Sequence, residues 1–158
     1  MSKHTRIGRG GFSLLELVIV VVIIGIIAAI AIPRMSRGAS GASSSALTGN
    51  LAVMRNAIDH YSVEHNGTYP AVATIAAQLT LYSSAAGATS ATKDATYMYG
   101  PYLLQVPALP VGAAKGSTGI AAAAGSGVGW IYTAATGTII ANTTGTESDA
   151  SGKLYSAY

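Results

Sequence analysis

Residues 12–33 read FSLLELVIVVVIIGIIAAIAIP, and from Leu17 to Ile32 this stretch carries no charged or hydrogen-bonding side chain. A helix over residues 12–32 is 21 residues long, so at about 1.5 Å per residue it spans roughly 30 Å, the thickness of a bilayer core. Val and Ile make up eleven of the sixteen residues from Leu17 to Ile32, but the run is too long for a strand. Because every backbone group in hydrocarbon must be paired internally, the sequence predicts a membrane-spanning α-helix.

Glu16 is the carboxylate inside this stretch, and it separates three interpretations of the segment. A secretory signal peptide has an A-x-A cleavage site, which residues 29–31 supply, but its apolar region is only about 7 to 15 residues long. A plain membrane anchor leaves Glu16 alone, although intramembrane carboxylates usually have a partner. Cleavage between Gly11 and Phe12 creates an ammonium group four residues before Glu16, which can pair with it within one chain or between neighbouring chains.

Residues 11–17 read GFSLLEL, after a short basic leader and before an apolar run that ends at Pro33. Over residues 6–34 this arrangement resembles the processing signature of type IV pilins and type II secretion pseudopilins. The resemblance rests on a leader glycine, an aromatic first mature residue, a carboxylate at the fifth mature position and a distal proline. It implies that a prepilin peptidase cleaves between Gly11 and Phe12, that Phe12 is N-methylated, and that the apolar helices pack into the core of a filament.

The resemblance also implies assembly roles for residues of this helix, namely Phe12, Glu16, Gly25 and Pro33. In that family the carboxylate matched by Glu16 recruits an incoming subunit by pairing with a neighbour's N-terminus. Gly25 costs backbone entropy, and Pro33 has no N–H for the carbonyl of Ala29. These two residues predict at least a kink, and the resemblance implies that the segment from Gly25 to Pro33 loosens when a subunit leaves membrane lipid for a filament, as helices of similar proteins do.

Cationic residues flank the apolar run unequally, three before it and two after it: Lys3, Arg6 and Arg9, then Arg34 and Arg37. This positive-inside bias favours a cytoplasmic N-terminus. The resemblance implies a single-pass protein of the bacterial inner membrane with a periplasmic C-terminal part, which assembles into a periplasmic or extracellular filament. The implied partners are other copies in a homopolymer, minor pilins or pseudopilins, the prepilin peptidase, and an inner-membrane assembly platform with a separate ATPase motor.

Charge is scarce in this 158-residue chain, since 9% of its residues are charged against about 25% in an ordinary soluble domain. Such a composition argues against a typical cytosolic enzyme. When the three leader cations are set aside, six basic residues remain against six acidic ones, so no nucleic-acid partner is predicted. The sequence contains no cysteine, which excludes disulfides and thiolate chemistry.

Helical spacing returns after a stretch at 36–46 that is rich in Ser, Gly and Ala and predicts a soft helix or a flexible neck. Spacings of 4, 3, 4 and 3 residues predict an amphipathic helix with one apolar stripe, formed by Leu47, Leu51, Met54, Ile58 and Tyr61. Arg55 and Asp59 form an i,i+4 pair on its polar side. The Asn-Gly dipeptide at 66–67 ends the helix.

The clearest strand signal comes late, where residues 128–133 and 138–142 flank a turn with glycine at its end, and predict a hairpin. Trp130 and Tyr132 share one face of it and are expected to cover the apolar stripe. A short helix is predicted over residues 71–82, followed by a loop over residues 83–96.

The predicted fold is α+β: a long N-terminal helix, transmembrane in its first half and amphipathic in its second, packed on a small C-terminal antiparallel sheet, as in the type IV pilin fold. The predicted divisions are a leader at 1–11, a transmembrane and filament-core helix at 12–33, an amphipathic continuation at 34–66 and a globular part at 67–158.

Histidines are too few and too scattered to predict an active site: His4 lies in the leader, and His60 and His65 are five residues apart. Metal ligands on one helix face are usually four apart. A triad is recognised by geometry, which the neighbouring Asp59, His60 and Ser62 do not establish. We interpret this region as a solvated helix face and predict no enzymatic activity.

Glu147 and Asp149 in the stretch TESDASG offer oxygens for a hard cation, and major pseudopilins often bind calcium in a C-terminal loop. Two carboxylates are few for a site of about six to eight ligands. A solvated acidic turn is therefore the favoured interpretation, with weak calcium binding as the alternative and no other cofactor. The tripeptides at 66–68 and 142–144 match the N-glycosylation pattern, although both asparagines also suit turns.

These features predict a structural subunit, similar to a major pseudopilin, of a type II secretion pseudopilus that drives protein export. The absence of cysteine favours this over a type IV pilin of a surface pilus for adhesion, motility or DNA uptake, because many such pilins close a C-terminal loop with a disulfide. A third hypothesis is a secreted or membrane-anchored binding domain that does not polymerise.

Overall fold

The structure, a computed structural model, describes residues 12–158, and these residues fall into two compact units divided after Gly38. A single helix, α1 (Leu14–Glu64), contributes residues to both units. The remaining elements belong to the second unit and are short: α2 (Ile75–Thr80), β1 (Tyr82–Ser83), β2 (Thr89–Ser90), β3 (Gly119–Ala121), β4 (Val128–Thr133), β5 (Thr138–Ala141) and a 3₁₀ helix (Tyr155–Ala157). The predicted α+β class is confirmed.

The stretch rich in Ser, Gly and Ala is helical, which confirms the soft helix and not the flexible neck. Hydroxyl groups within it donate to carbonyl oxygens one turn earlier, from Ser44 to Ser40 at 3.1 Å and from Ser45 to Gly41 at 3.0 Å. Such bonds satisfy the side chain without leaving the helix. The helix ends at Glu64, just before the predicted stop at 66–67.

The core of the second unit forms where the apolar stripe of α1 meets the β4–β5 hairpin. All five predicted stripe residues are at most 2% exposed, which confirms the periodicity. Trp130 and Tyr132 are fully buried in the same cluster, as predicted. Their polar atoms are satisfied by loops, because the Trp130 indole N–H donates to the Pro107 carbonyl at 2.8 Å and the Tyr132 hydroxyl donates to the Pro70 carbonyl at 3.0 Å.

The main sheet has the order β3-β4-β5 and is mixed, which corrects the prediction of an antiparallel sheet. The β4–β5 pair is the predicted antiparallel hairpin, with Tyr132 opposite Ile139. β3 pairs with β4 in parallel. In the turn between β4 and β5, Gly137 has φ +68°, and a β-carbon there would lie 2.4 Å from Cε1 of Tyr69, so this position requires glycine.

Two local predictions for residues 71–96 differ from the structure. The predicted helix at 71–82 is present but shorter, since α2 covers Ile75–Thr80, and the Ala71 N–H before it donates to the Gln78 side chain at 2.9 Å. The predicted loop at 83–96 contains a second, two-stranded sheet formed by β1 and β2. The Gln78 amide also donates to the Gly87 carbonyl at 2.8 Å, so one side chain ties this hairpin to α2.

Candidate functional site

The start of α1 is a capping box, an element that our sequence analysis missed. The Ser13 carbonyl accepts the first helical hydrogen bond, which the Leu17 N–H donates at 3.2 Å. The Ser13 hydroxyl accepts a second bond, from the Leu15 N–H at 3.3 Å. A Glu16 carboxylate oxygen accepts the Ser13 N–H at 3.1 Å. This reciprocal bonding satisfies donors that a helix start otherwise leaves unpaired. The spacing Ser-x-x-Glu at 13–16 was the available signal.

The capping box gives Glu16 a local partner next to the predicted processing site. An ionised carboxylate has about four lone-pair sites on its two oxygens, so a bond to the Ser13 N–H leaves capacity for an ammonium group. Phe12, the predicted first mature residue, is 86% exposed. Gly11, on the other side of the predicted cleavage, lies outside the described residues, as do the leader cations.

The residues after the cap present an uncovered apolar surface. Every Val, Leu and Ile from Leu14 to Ile32 is at least 48% exposed, and this 19-residue segment is long and apolar enough to cross a membrane. A core helix of a soluble protein passes the same test of length and composition, but its residues are mostly buried, whereas this segment has none buried. Such a surface needs lipid or other protein to cover it.

Two of the predicted assembly residues lie inside the helix without ending it. α1 continues through Gly25 and Pro33, so in the single chain the segment between them is helical. Apart from the chain neighbours and the helix's own backbone, no atom of the described residues lies within 4 Å of the place where a β-carbon would stand at Gly25, so no close contact with another part of the chain requires glycine there. Loosening of the segment in a filament stays a prediction.

A serine–histidine pair occurs in the second unit, between His65 and Ser83, a serine that the sequence analysis did not consider. His65 is 4% exposed, so the prediction that it lies on a solvated face was wrong. Its ring stacks on Tyr61 with 3.8 Å between centroids, its Nδ1 lies 2.8 Å from the Tyr61 carbonyl, and its Nε2 lies 3.2 Å from the Ser83 hydroxyl.

This pair has the spacing of a nucleophile and its base, but the burial of both members excludes a substrate. Ser83 is fully buried, and Nε2 of His65 also lies 3.0 Å from the Ser84 carbonyl. The imidazole therefore joins the end of α1 to β1 and has a structural role. His60, which is exposed, is not part of this cluster.

The polar side of α1 is used for contacts within the second unit. The Arg55 guanidinium donates to the backbone oxygens of Tyr158 at 3.1 Å and Ile139 at 3.3 Å, so the predicted i,i+4 pair with Asp59 is not its main contact. The Glu64 carboxylate accepts the Tyr102 hydroxyl. The pKa of Tyr102 is raised mainly by burial and, to a smaller extent, by its hydrogen bond to the Glu64 carboxylate.

Glu147 and Asp149, the weak calcium candidates, accept hydrogen bonds from their own chain. The carboxylate of Glu147 accepts the N–H groups of Thr144 at 2.7 Å and Ala113 at 2.6 Å, and both lower its pKa. One oxygen of Asp149 accepts the hydroxyl of Ser151 at 2.6 Å and two backbone N–H groups, while the other accepts the Tyr158 hydroxyl.

The Ser151 hydroxyl, followed by that of Tyr158, lowers the pKa of Asp149. Among residues 12–158, no cluster of three or more His, Cys, Asp or Glu side chains could hold a metal ion. The two carboxylates thus hold the C-terminal segment through protein donors, and weak calcium binding stays the untested alternative.

Comparison with known proteins gives one match. Residues 6–32 match the prokaryotic N-terminal methylation motif, which covers the second half of the leader, the capping box and the apolar helix up to Ile32. No curated protein and no solved structure matches the chain. The match supports the resemblance to type IV pilins and pseudopilins and a membrane-anchored, pilin-like N-terminus, and it does not separate the two classes.

Proposed function

We propose that this chain is a structural subunit, similar to a major pseudopilin, that polymerises through its N-terminal helix into a type II secretion pseudopilus. The observation that carries the proposal is the exposed apolar helix Leu14–Ile32 within the matched methylation motif. Lipid covers this surface before assembly and neighbouring copies cover it afterwards. The role is structural, so no enzymatic activity is proposed.

The proposed sequence of events begins at the cytoplasmic side of the inner membrane. A prepilin peptidase cleaves between Gly11 and Phe12 and the new N-terminus is methylated. An assembly platform driven by a separate ATPase then moves the subunit into a filament with other copies and minor pseudopilins, while the second unit lies in the periplasm. Pairing between the Phe12 ammonium and Glu16 of a neighbour sets the register, because two opposite charges offset each other's desolvation in an apolar core.

The C-terminal segment supports a pseudopilus over a surface pilus. Many type IV pilins close this region with a disulfide, whereas this chain has no cysteine and holds the region through hydrogen bonds to Glu147 and Asp149. A type IV pilin remains the alternative, and the location of the filament distinguishes the two. Filaments that can be sheared from the cell surface would support a type IV pilin. Filaments confined to the periplasm would support a pseudopilin.

The first experiment is mass spectrometry of the N-terminus of the protein purified from its native membrane. An N-methylated Phe12 is the expected result. A chain that starts at Ile32 would indicate an ordinary secreted domain, and an intact leader would indicate a plain anchor; either result overturns the proposal.

A second experiment separates the capping role of Glu16 from its charge. Glu16→Gln retains a side chain that can complete a capping box but removes the negative charge, whereas Ser13→Ala removes a capping hydroxyl and keeps the charge. We expect Glu16→Gln and Glu16→Ala to block filament assembly while cleavage continues, and Ser13→Ala to assemble. Assembly of Glu16→Gln at the normal level would show that the charge is not needed.

A further inference from the structure

Two tripeptides match the acceptor pattern for N-glycosylation, and the structure distinguishes between them. Asn142 is half-buried in the second unit, and its side-chain amide donates to the Val128 carbonyl at 2.7 Å. Thr144, which completes that tripeptide, donates its N–H to Glu147 at 2.7 Å. The Asn142 amide is thus used within the folded structure, and an enzyme could reach it only by breaking its bond to the Val128 carbonyl.

The other tripeptide, at 66–68, lies on an exposed turn directly after α1. Asn66, Gly67 and Thr68 are all exposed, while His65 before them is 4% exposed and Pro70 after them is fully buried. The exposed tripeptide is therefore flanked by two buried residues, His65 and Pro70. Exposure on a surface turn is what the acceptor pattern requires.

The backbone geometry of the turn accounts for the choice of Asn66 and Gly67 but not for the side chain of Thr68. Asn66 has φ 55° and Gly67 has φ 81°, a left-handed conformation that favours both residue types at a helix end. The Gly67 N–H donates to the Ser62 carbonyl at 2.8 Å. The backbone of Thr68 takes part in the turn by donating to His65 at 3.0 Å, but this bond needs no hydroxyl, so the geometry leaves the threonine side chain unexplained.

We infer that Asn66 is an N-glycosylation acceptor, with Thr68 as the hydroxyl residue that the transferase recognises. The donor is a lipid-linked oligosaccharide diphosphate. Nδ2 of Asn66 attacks the anomeric carbon of the first sugar and forms a C–N bond, while the C–O bond to the diphosphate breaks. The lipid diphosphate leaves with that electron pair, and the amide gives one proton to a base of the transferase. The inference rests on the proposed function, which places the second unit in the periplasm.

Tryptic peptide mapping of the full chain from its native membrane tests this inference, because the relevant residues fall into separate peptides. Cleavage at Arg and Lys gives peptides 12–34, 56–93 and 116–153 from the processed chain. The first reports N-terminal processing, the second contains Asn66, and the third contains Asn142 as an internal control. We expect an added glycan mass on 56–93 alone, released by an amidase that converts Asn66 to aspartate.

Three variants separate the acceptor role from the turn. Asn66→Gly removes the amide and suits the left-handed conformation, and Thr68→Ala removes the hydroxyl; both should lose the added mass completely. Thr68→Ser keeps a hydroxyl and should retain it. All three should keep the circular dichroism spectrum of the wild type, since the turn's backbone bonds stay in place.

Several results would overturn the inference. They are an unmodified 56–93 peptide, a glycan on 116–153 instead, or an added mass that persists in Asn66→Gly or Thr68→Ala. If 56–93 is unmodified while 12–34 starts at an N-methylated Phe12, the inference fails and the proposed function stands. If 12–34 is absent because the leader is intact, the proposed function fails whatever 56–93 shows.

Discussion

Individual carboxylates in this protein act through hydrogen bonds that they accept from the backbone. Glu16 closes the capping box with the Ser13 N–H, and Glu147 joins two segments by accepting N–H groups from Ala113 and Thr144. Hydrogen bonds to an ionised acceptor are roughly twice as strong as neutral ones. With so few charged residues in the chain, each of these side chains has a definable structural role.

Acid should weaken the second unit through Glu147. Because its folded-state pKa is lowered by the Thr144 and Ala113 N–H groups, the stability that it confers is present above the unfolded value of about 4.3 and is lost as pH falls through the folded value. Urea unfolding of the wild type and Glu147→Gln from pH 6 to pH 2 should show midpoints that differ at pH 6 and approach each other as the pH falls below the unfolded-state value. A constant difference at all pH values would contradict this role.

Calcium should leave the stability of the protein unchanged. The oxygens of Glu147 and Asp149 already accept hydrogen bonds from protein donors, and a cation would have to displace them. We expect millimolar Ca²⁺ or EDTA to shift the Tm by less than about 1 °C, as for a ligand that does not bind the folded state. A saturable rise in Tm that Asp149→Asn abolishes would establish the calcium alternative.

The helix α1 combines two kinds of surface along one continuous element. From Leu14 to Ile32 its apolar residues are exposed all around, as in a helix that meets lipid or other helices. From Leu47 to Tyr61 its apolar residues form one buried stripe, as in a helix that covers a globular core. The same helix therefore leaves its apolar side chains uncovered in the first unit and buries them in the core of the second.

The buried stripe gives a direct test of packing at the level of this element. Leu51→Ala should lower the free energy of unfolding by about 2 to 5 kcal/mol, because it leaves a cavity in a core where Leu51 is 1% exposed. Val53→Ala, two residues away and 52% exposed, is the matched control and should change stability by about 0.5 kcal/mol or less. If urea unfolding gave the same loss of unfolding free energy for Leu51→Ala and Val53→Ala, the assignment of Leu51 to the buried stripe would be wrong.

At the level of the whole molecule, the buried core lies in one of the two units. The core cluster runs in sequence from Leu47 to Tyr155, and all of it falls within Ala39–Tyr158. The described residues of the first unit, 12–38, contribute no member to that cluster. The buried core and the uncovered apolar helix are thus carried by different parts of the chain.

This division predicts that a fragment of residues 39–158 folds without the apolar helix. It should be monomeric in buffer without detergent, because the exposed surface of Leu14–Ile32 is absent, and it should unfold cooperatively, because the core is complete. Gel filtration and thermal circular dichroism are the measurements. A fragment that aggregates or lacks a cooperative transition would show that the N-terminal residues are needed for folding.

Features that depend on local pattern could be predicted from residues near one another in the chain. The apolar run at 17–32, the stripe of α1 and the β4–β5 hairpin follow from periodicity and turn residues, because a helix or hairpin pairs its backbone within a short segment. The capping box at 13–16 is equally local, since the spacing Ser-x-x-Glu marks it, but the sequence analysis paired Glu16 with an ammonium group and not with the backbone.

Pairings that no period in the sequence specifies decided the rest. The β1–β2 hairpin and the parallel pairing of β3 with β4 join segments close in sequence, but β1, β2 and β3 are too short for a period to mark them. His65 and Ser83 are 18 residues apart in sequence, and a polar residue at a helix end is normally solvated unless the fold supplies buried acceptors. Here the fold places the Ser84 carbonyl beside the His65 ring. Burial of that ring was therefore a property of the tertiary structure, because a polar group can leave water only where distant parts of the chain bring it hydrogen-bonding partners.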